Sequence, residues 1–319
     1  MSRRFIPLWV SFALLLALFA VGGIQFDYFA SVEVVTNLFT DNAFLLVTAL
    51  GMMLVILTGG IDLSVGAVIA LTGVLCAVFI GPLGWHPVAA FIVVIGFAAV
   101  FGGVMGALIY YYRLQPFIVT LAGMFLARGL ATVISEQSLA IEHPFYDWLA
   151  DAGLGLPQRG WLSSAAMISL VLVIITAIMV HFTRFGRYLY AIGGNSQSAA
   201  LMGVPMARST IMVYVLSSVY AAIAGILFSL YTFSGYALRG VGLELDAIAA
   251  VVIGGTLLSG GYGYVLGTLL GVLLMGTIQT YIVFDGSLNS WWSKIVIGAL
   301  LFIFIALQRI LQRRTATSH

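Results

Sequence analysis

Apolar stretches recur along the whole chain and are separated by short polar segments. The runs are continuous rather than alternating with period two, which favours membrane-spanning helices over barrel strands. A helix needs about 20 apolar residues to cross a hydrocarbon core of ~30 Å. The pattern predicts an all-α, polytopic membrane helical bundle with about ten transmembrane segments, at residues 5–24, 43–58, 63–81, 88–112, 116–135, 161–182, 209–232, 246–258, 262–284 and 289–308.

The composition agrees with this class. Of 319 residues, 62% are hydrophobic and 8% are charged, and the mean hydropathy is +1.14. A soluble domain carries about 25% charged residues. We therefore treat residues 1–319 as a single transmembrane domain, with a polar loop at 183–208 and a basic tail at 309–319 that we expect to be frayed.

Basic residues are distributed unevenly between the two ends of the predicted spans. Only Arg159 and Arg239 fall at the end opposite to the termini. Because positively charged loops are retained in the cytoplasm, both termini are predicted to be cytoplasmic. The basic residues on that side are Arg3, Arg4, Arg113, Arg184, Arg187, Arg208, Arg309, Arg313 and Arg314.

The segment 183–208 is polar, cationic and interrupted by glycines, and hydrophobic spans lie on both sides of it. Asn195 is the predicted N-cap of a short helix, Ser196 to Met202, and Gly203 follows its end. A capped helix at the cytoplasmic face of a bundle suits the docking of a cytoplasmic partner. The segment therefore indicates a transporter that is driven by another subunit.

Two glycine-rich segments interrupt the apolar pattern in similar settings. Residues 59–66 read GGIDLSVG and residues 254–261 read GGTLLSGG, a repeat at a constant offset of 195. Paired, glycine-broken helices are typical of a translocation path, since unwound backbone survives only beside a cavity or protein. Close packing of helices at glycine is the alternative. The candidate path or gate residues are Gly59, Gly60, Asp62, Ser64, Gly66, Gly254, Gly255, Ser259 and Gly261.

Three charged residues lie within or beside predicted spans. Asp62 either caps a helix that begins at Leu63 or faces a polar cavity, and the cap is the preferred interpretation. Arg128 is a buried charge that needs a partner, either Glu136 or an acid from another span. Lys294 follows two interfacial tryptophans and is expected to snorkel outward, without a substrate role.

The sequence has no pattern for catalysis or metal binding. The phosphate-binding pattern GxxxxGK[ST] is missing, and the histidines have no metal-ligand spacing. Cys76 is the single cysteine, so an intrachain disulfide is excluded. We therefore predict no metal site, no cofactor and no enzymatic activity for this chain. The histidines are His86, His143, His181 and His319.

Three motifs carry a resemblance to a known family. Residues 58–66 (TGGIDLSVG), 115–131 (QPFIVTLAGMFLARGLA) and 186–204 (GRYLYAIGGNSQSAALMGV) resemble the permease subunits of bacterial simple-sugar ABC importers, such as those for ribose, xylose and galactose. The likeness covers nearly the whole chain. Within that family, residues 141–149 and 280–309 are similar to a permease of galactofuranose importers.

The resemblance implies a multi-subunit importer in the bacterial inner membrane. Its expected partners are a periplasmic sugar-binding protein, a second and non-identical permease, and a cytoplasmic ATPase that holds ATP and Mg, with membrane lipid around the bundle and no nucleic acid. Galactofuranose is the expected sugar. The residues implied in coupling to the ATPase are Arg187, Gly193, Gly194, Asn195, Ala199, Ala200 and Gly203.

An ion-coupled secondary sugar carrier is the alternative function. Such carriers usually need ionisable relays inside the membrane, and this chain offers only Asp62, Arg128 and Lys294. A passive channel would not need the coupling segment. A membrane-embedded enzyme would need a catalytic constellation that the sequence lacks.

Overall fold

The protein is described by a computed structural model that covers residues 6–157, 159–289 and 291–316. This part of the chain is mainly helical. In chain order its helices are α1 (Ile6–Gln25), α2 (Val32–Asp41), α3 (Ala43–Leu57), α4 (Val65–Ile80), α5 (Pro87–Tyr111), α6 (Pro116–Ile134), α7 (Pro144–Asp151), α8 (Ser164–Phe182), α9 (Arg184–Gly194), α10 (Ser196–Leu201), α11 (Met206–Thr232), α12 (Leu243–Ile253), α13 (Val265–Asp285) and α14 (Trp291–Ala316). Its strands are β1 (Leu139–Ala140), β2 (Gly153–Gly155), β3 (Trp161–Ser163) and β4 (Ser234–Gly235).

Among the described residues, seven helices are long and apolar enough to cross a membrane, or eight if the bent pair α2 and α3 counts as one span. The prediction of about ten spans is therefore not confirmed. Two of the missing spans are α4, with 16 residues, and α12, with 11. Both are short because each adjoins one of the glycine-rich segments. The seven are Leu8–Gln25, Pro87–Tyr111, Pro116–Ile134, Ser164–Phe182, Met206–Thr232, Val265–Asp285 and Trp291–Gln308.

Helices α3 and α11 form the centre of the bundle. Every residue of α3 except Phe44 is buried, as expected for a helix that is apolar on all its faces. α11 packs against α3, α4 and α5. Glycine permits the closest of these approaches, because a Cβ on Gly102 of α5 would lie 2.3 Å from the carbonyl oxygen of Tyr214. The peripheral helices α1, α5, α6, α8 and α14 expose apolar side chains, as expected where a bundle meets lipid or another membrane subunit.

The two ends of the bundle differ. Helices α9 and α10 lie together at one end, between α8 and α11, and we call this the α9–α10 end. The opposite end carries α7 and two antiparallel strand pairs, β1 with β4 and β2 with β3. We call it the hairpin end. Polar segments of the sequence therefore lie at both ends of the bundle, but the cationic segment 183–208 lies at the α9–α10 end alone.

Helix α14 includes most of the predicted C-terminal tail, because it continues to Ala316. That the tail frays stays a prediction. Residues 317–319 lie outside the described part of the chain.

Candidate functional site

Both glycine-rich breaks end a buried helix with the same turn. In the first, Gly59 has a φ of +81° and the next amide donates to the carbonyl of Val55 at 3.2 Å. In the second, Gly255 has a φ of +94° and the next amide donates to the carbonyl of Val251 at 3.2 Å. A left-handed residue after the last turn is typical of helix C-termini. The two turns correspond with Gly59 opposite Gly255, so the register with Gly59 opposite Gly254 that the sequence indicated is not confirmed.

The two breaks contact each other through their backbones. The amide of Gly261 donates to the carbonyl of Leu57 at 2.9 Å. A Cβ on Gly59 would lie 3.3 Å from the carbonyl oxygen of Ser259, and one on Gly260 would lie 2.7 Å from the amide nitrogen of Gly59. The ends of α3 and of the second break therefore lie at backbone contact distance, which side chains would prevent.

The last turn of α9 packs onto this contact. A Cβ on Gly193 would lie 1.9 Å from the carbonyl oxygen of Leu57 and 2.3 Å from the amide nitrogen of Gly261. The structure thus brings the predicted coupling segment and both predicted breaks to one place. We call the meeting of Leu57, Gly59, Gly193, Gly260 and Gly261 the glycine junction.

Tyr190 provides a second link between α9 and the second break. Its hydroxyl donates to the carbonyl of Gly263 at 2.7 Å. Burial, together with the neighbouring Tyr264, raises the pKa of Tyr190 to about 12. Tyr190 therefore remains a neutral donor at physiological pH.

The rest of the predicted coupling segment, beyond the glycine junction, has the predicted local structure. The side chain of Asn195 accepts from the amide of Ser198 at 2.8 Å and caps α10, which ends one residue before the predicted Met202. Gly203 follows in the left-handed region, with a φ of +79°. Ala199 is buried, whereas the remaining predicted coupling residues beyond the junction, Arg187, Gly194, Asn195, Ala200 and Gly203, are exposed.

Asp62 is fully buried between the first break and α11. One carboxylate oxygen accepts from the amide and the hydroxyl of Ser64, at 2.9 and 2.6 Å, and the other accepts from the hydroxyl of Ser217 at 2.7 Å. The following helix begins at Val65, not at Leu63, so Asp62 is not its N-cap. Asp62 does not face a cavity either, and its hydrogen bond from Ser217 connects the first break to α11.

Arg128 has partners that the sequence did not indicate. Its Nη1 donates to the carbonyl oxygens of Ala237 and Arg239, both at 2.6 Å. Backbone carbonyls between α11 and α12 accept these bonds where Glu136 or an acid from another span was expected, and the charge of Glu244 lies nearby.

Lys294 also differs from the prediction. Its ammonium group is bonded to both carboxylate oxygens of Asp246, at 2.7 and 2.6 Å. The side chain is half exposed and that of Asp246 is 18% exposed. Lys294 therefore holds α14 to the start of α12 instead of only extending outward.

An open cleft of about 720 Å³ lies at the α9–α10 end, a volume in the range of small-molecule sites. It lies between the first break, the α5–α6 connection and α10, and tyrosines and polar groups line much of it. Within the described residues, no group of three or more His, Cys, Asp or Glu side chains is placed to hold a metal ion. Lining residues include Gly59, Gly60, Tyr110, Arg113, Gln197 and Tyr214.

Three residues that contribute to this site were not predicted from the sequence. They are Ser217, Tyr190 and Thr120, whose hydroxyl contacts the carbonyl of Ile61 at 3.2 Å. Hydroxyl side chains in apolar helices commonly bond to neighbouring helices. The pair Ser217 and Ser218 inside α11 was such a signal.

The chain is similar to transport permeases over nearly its whole length. A family profile described as "Branched-chain amino acid transport system / permease component" matches residues 34–305. The chain is 53% identical over 309 residues to the inner membrane ABC transporter permease protein YjfF of Escherichia coli, covering 97% of this chain and 93% of YjfF. It is 37% identical over 316 residues to the fructose import permease protein FruG of Bifidobacterium longum, covering 97% and 92%. It is 33% identical over 313 residues to the ribose import permease protein RbsC of Escherichia coli, covering 95% of each. No solved structure matches the chain significantly.

Proposed function

This chain belongs to the family of transport-system permease components that its residues 34–305 match, and we propose that it forms half of the translocation path of an ATP-driven monosaccharide importer. The relatives that share most of its length are named as ABC, fructose and ribose permeases. A second, related permease would supply the other half of the path. A periplasmic binding protein would deliver the sugar, and a cytoplasmic ATPase would hold ATP and Mg.

Galactofuranose is the sugar that we infer. The support is the resemblance of residues 141–149 and 280–309 to a galactofuranose permease, together with the 53% identity to YjfF. The permease itself need not bind the sugar tightly, because a substrate that binds strongly within a path leaves it slowly. Sugar choice would then depend mainly on the binding protein.

The orientation that we propose places the α9–α10 end and both termini in the cytoplasm. Its support is the positive charge of that end, where Arg113, Arg184, Arg187 and Arg208 are located. The tip of α10 also carries Leu201 and Met202, which are 90% and 72% exposed. Exposed apolar side chains beside a polar helix are typical of a docking surface, and we assign this one to the ATPase.

The glycine junction carries the proposed mechanism. Closure of the ATPase on ATP would displace α10 and, with it, the end of α9. Because Gly193 is in backbone contact with Leu57 and Gly261, displacement of α9 has to move both helix breaks. The cleft beside Gly59 and Gly60 would be the cytoplasmic mouth of the path. Alternating exposure of the path then follows from a change in the tilt of α3 and α12 at their broken ends.

The test is ATPase activity of the co-purified complex. We expect this chain, expressed with its chromosomal neighbours, to purify with an ATPase whose hydrolysis in liposomes is stimulated by binding protein loaded with galactofuranose. Stimulation by another sugar would correct the substrate and leave the class intact. A chain that purifies alone and moves sugar down its gradient without ATP would contradict the proposal and restore the ion-coupled carrier.

A further inference from the structure

The chain between α11 and α12 has an unusual course. Residues 233–242 are not helical, yet they run along α4 instead of forming a loop above the bundle. A Cβ on Gly235 would lie 2.2 Å from the carbonyl oxygen of Gly73, and one on Gly66 would lie 2.6 Å from the carbonyl oxygen of Gly240. Gly66 and Gly73 are two turns apart on α4, so the segment follows that helix for about 10 Å. We call residues 233–242 the descending segment.

Arg128 holds the descending segment from its other side. Backbone carbonyls outside helices and sheets need a donor when water is excluded. Arg128 supplies it to two of them, those of Ala237 and Arg239, with bonds of 2.6 Å each. At the hairpin end, the pairing of β4 with β1 fixes Ser234 and Gly235. The segment is thus anchored at its middle by a charged side chain and at its start by a strand.

The surface of the descending segment and of the first turn of α12 is apolar and uncovered in the single chain. Leu238, Val241 and Leu245 are 56%, 70% and 61% exposed. Non-helical backbone at membrane depth is tolerated only where it is buried in protein or lines a water-filled cavity. Lipid is therefore an unsuitable neighbour for this face, whereas an interface with a second permease, including a water-filled path between the two, satisfies the requirement.

We propose that the descending segment is the outer constriction of the sugar path, that Leu238, Val241 and Leu245 line it, and that Arg128 is the residue that positions it. This inference rests on the proposed importer function and its orientation. Apolar constrictions close a path by excluding water. In this role Arg128 acts through the backbone, because its two hydrogen bonds hold the carbonyls of Ala237 and Arg239 and thereby fix the position of the constriction.

The first test compares two valines with nearly equal exposure in the single chain. Val241 is 70% exposed on the descending segment and Val100 is 68% exposed on α5. In nanodiscs that hold the complete transporter, Val241→Cys should react with a charged thiol reagent at least about tenfold faster than Val100→Cys in the state in which the constriction is open, since an apolar environment raises the pKa of a thiol and only the thiolate reacts. The parent chain is the blank, because Cys76 is buried.

The rate at Val241→Cys should also change when the complex is trapped with ATP and vanadate. A rate no faster than that of Val100→Cys in both states, or one that is identical in the two states, would overturn the inference. Sugar-stimulated ATP hydrolysis of the parent complex in the same nanodiscs tests the proposed importer function separately. Failure of the inference alone would leave that hydrolysis intact.

The second test addresses Arg128. In sealed liposomes without ATP, Arg128→Gln should increase the leak of sugar about tenfold or more, because the loss of a hydrogen bond to a charged group is enough to shift a two-state equilibrium by that factor. Arg128→Lys, which retains a charged donor, should leak less. Equal leak from the parent and both variants would show that Arg128 does not position the constriction.

Discussion

Gly193→Ala is the sharpest test of the glycine junction. The added methyl group would lie 1.9 Å from the carbonyl oxygen of Leu57 and 2.3 Å from the amide nitrogen of Gly261. Close carbon–oxygen contacts in proteins are about 3.3 Å, so α9 and the first break would have to separate by about 1.4 Å. Both neighbours are backbone atoms and are hydrogen-bonded to each other. No side-chain rotation can therefore relieve the contact.

Two opposing effects determine the size of the change. Gly193 is in the last turn of α9, and within a helix alanine is favoured over glycine by up to about 1 kcal/mol. Overpacking against a fixed neighbour costs about 1–3 kcal/mol, and occasionally more. Since the neighbours are backbone on two sides, we expect a net cost of about 2 kcal/mol, which shifts the equilibrium between packed and separated junctions about 30-fold.

The assay is sugar uptake and ATP hydrolysis by the complete transporter in liposomes. We expect Gly193→Ala to lose most of the uptake while hydrolysis continues, because α9 no longer holds both breaks. Gly96→Ala on α5 is the matched control, since nothing lies within 4 Å of a Cβ there, and it should transport normally. Wild-type uptake and an unchanged Tm for Gly193→Ala would refute the reasoning.

Three further predictions concern the surroundings of the junction. Asp62→Asn should lower the Tm, at a cost of about 1–3 kcal/mol in stability, because the carboxylate accepts three buried hydrogen bonds; unchanged Tm and transport would show that these bonds are dispensable. Gly194→Phe or Ala200→Phe, at exposed positions, should uncouple ATP hydrolysis from uptake in an assembled complex, and normal uptake would remove the docking role from α10. Cysteines placed at Phe145 and Ser196 should be labelled from opposite faces of the membrane; labelling from one face would overturn the proposed topology.

Local features were predictable from the sequence where neighbouring residues determine them. The cap at Asn195 and the left-handed Gly203 depend on residues within one turn, and both are present. The breaks after α3 and α12 were visible because glycine pairs interrupt apolar runs. The register of the repeat was not predictable. In the sequence Gly254 and Gly255 align with Gly59 and Gly60, whereas in the structure the left-handed residue that corresponds to Gly59 is Gly255.

Long-range contacts could not be predicted from local patterns in the sequence. The charge of Arg128 within an apolar segment indicated that some partner exists, but its partners are carbonyls of residues 237 and 239, and carbonyls carry no sequence signal. The same holds for the carbonyl of Leu57 against Gly193. The sequence explains the short length of α12 only at its C-terminal end, where the second glycine-rich segment follows. Its other end is set by the descending segment, whose course along α4 depends on the pairing of Gly66 and Gly73 with glycines far away in the chain.

Helix α12 connects the two proposed control points, because the descending segment leads into its first turn and the second break follows its last. With 11 residues it spans about 16 Å, and its interior is packed too densely to absorb a displacement. Mutations at sites separated by more than about 10 Å normally add within about 0.5 kcal/mol. If α12 transmits motion from one site to the other, the effects of Gly193→Ala and Arg128→Gln should not simply add. The uptake rate of the double mutant, converted to a free energy, should then differ from the sum of the two single effects by more than about 0.5 kcal/mol. A complete cycle of uptake rates measures the coupling directly, and simple additivity would mean that the junction and the constriction act independently.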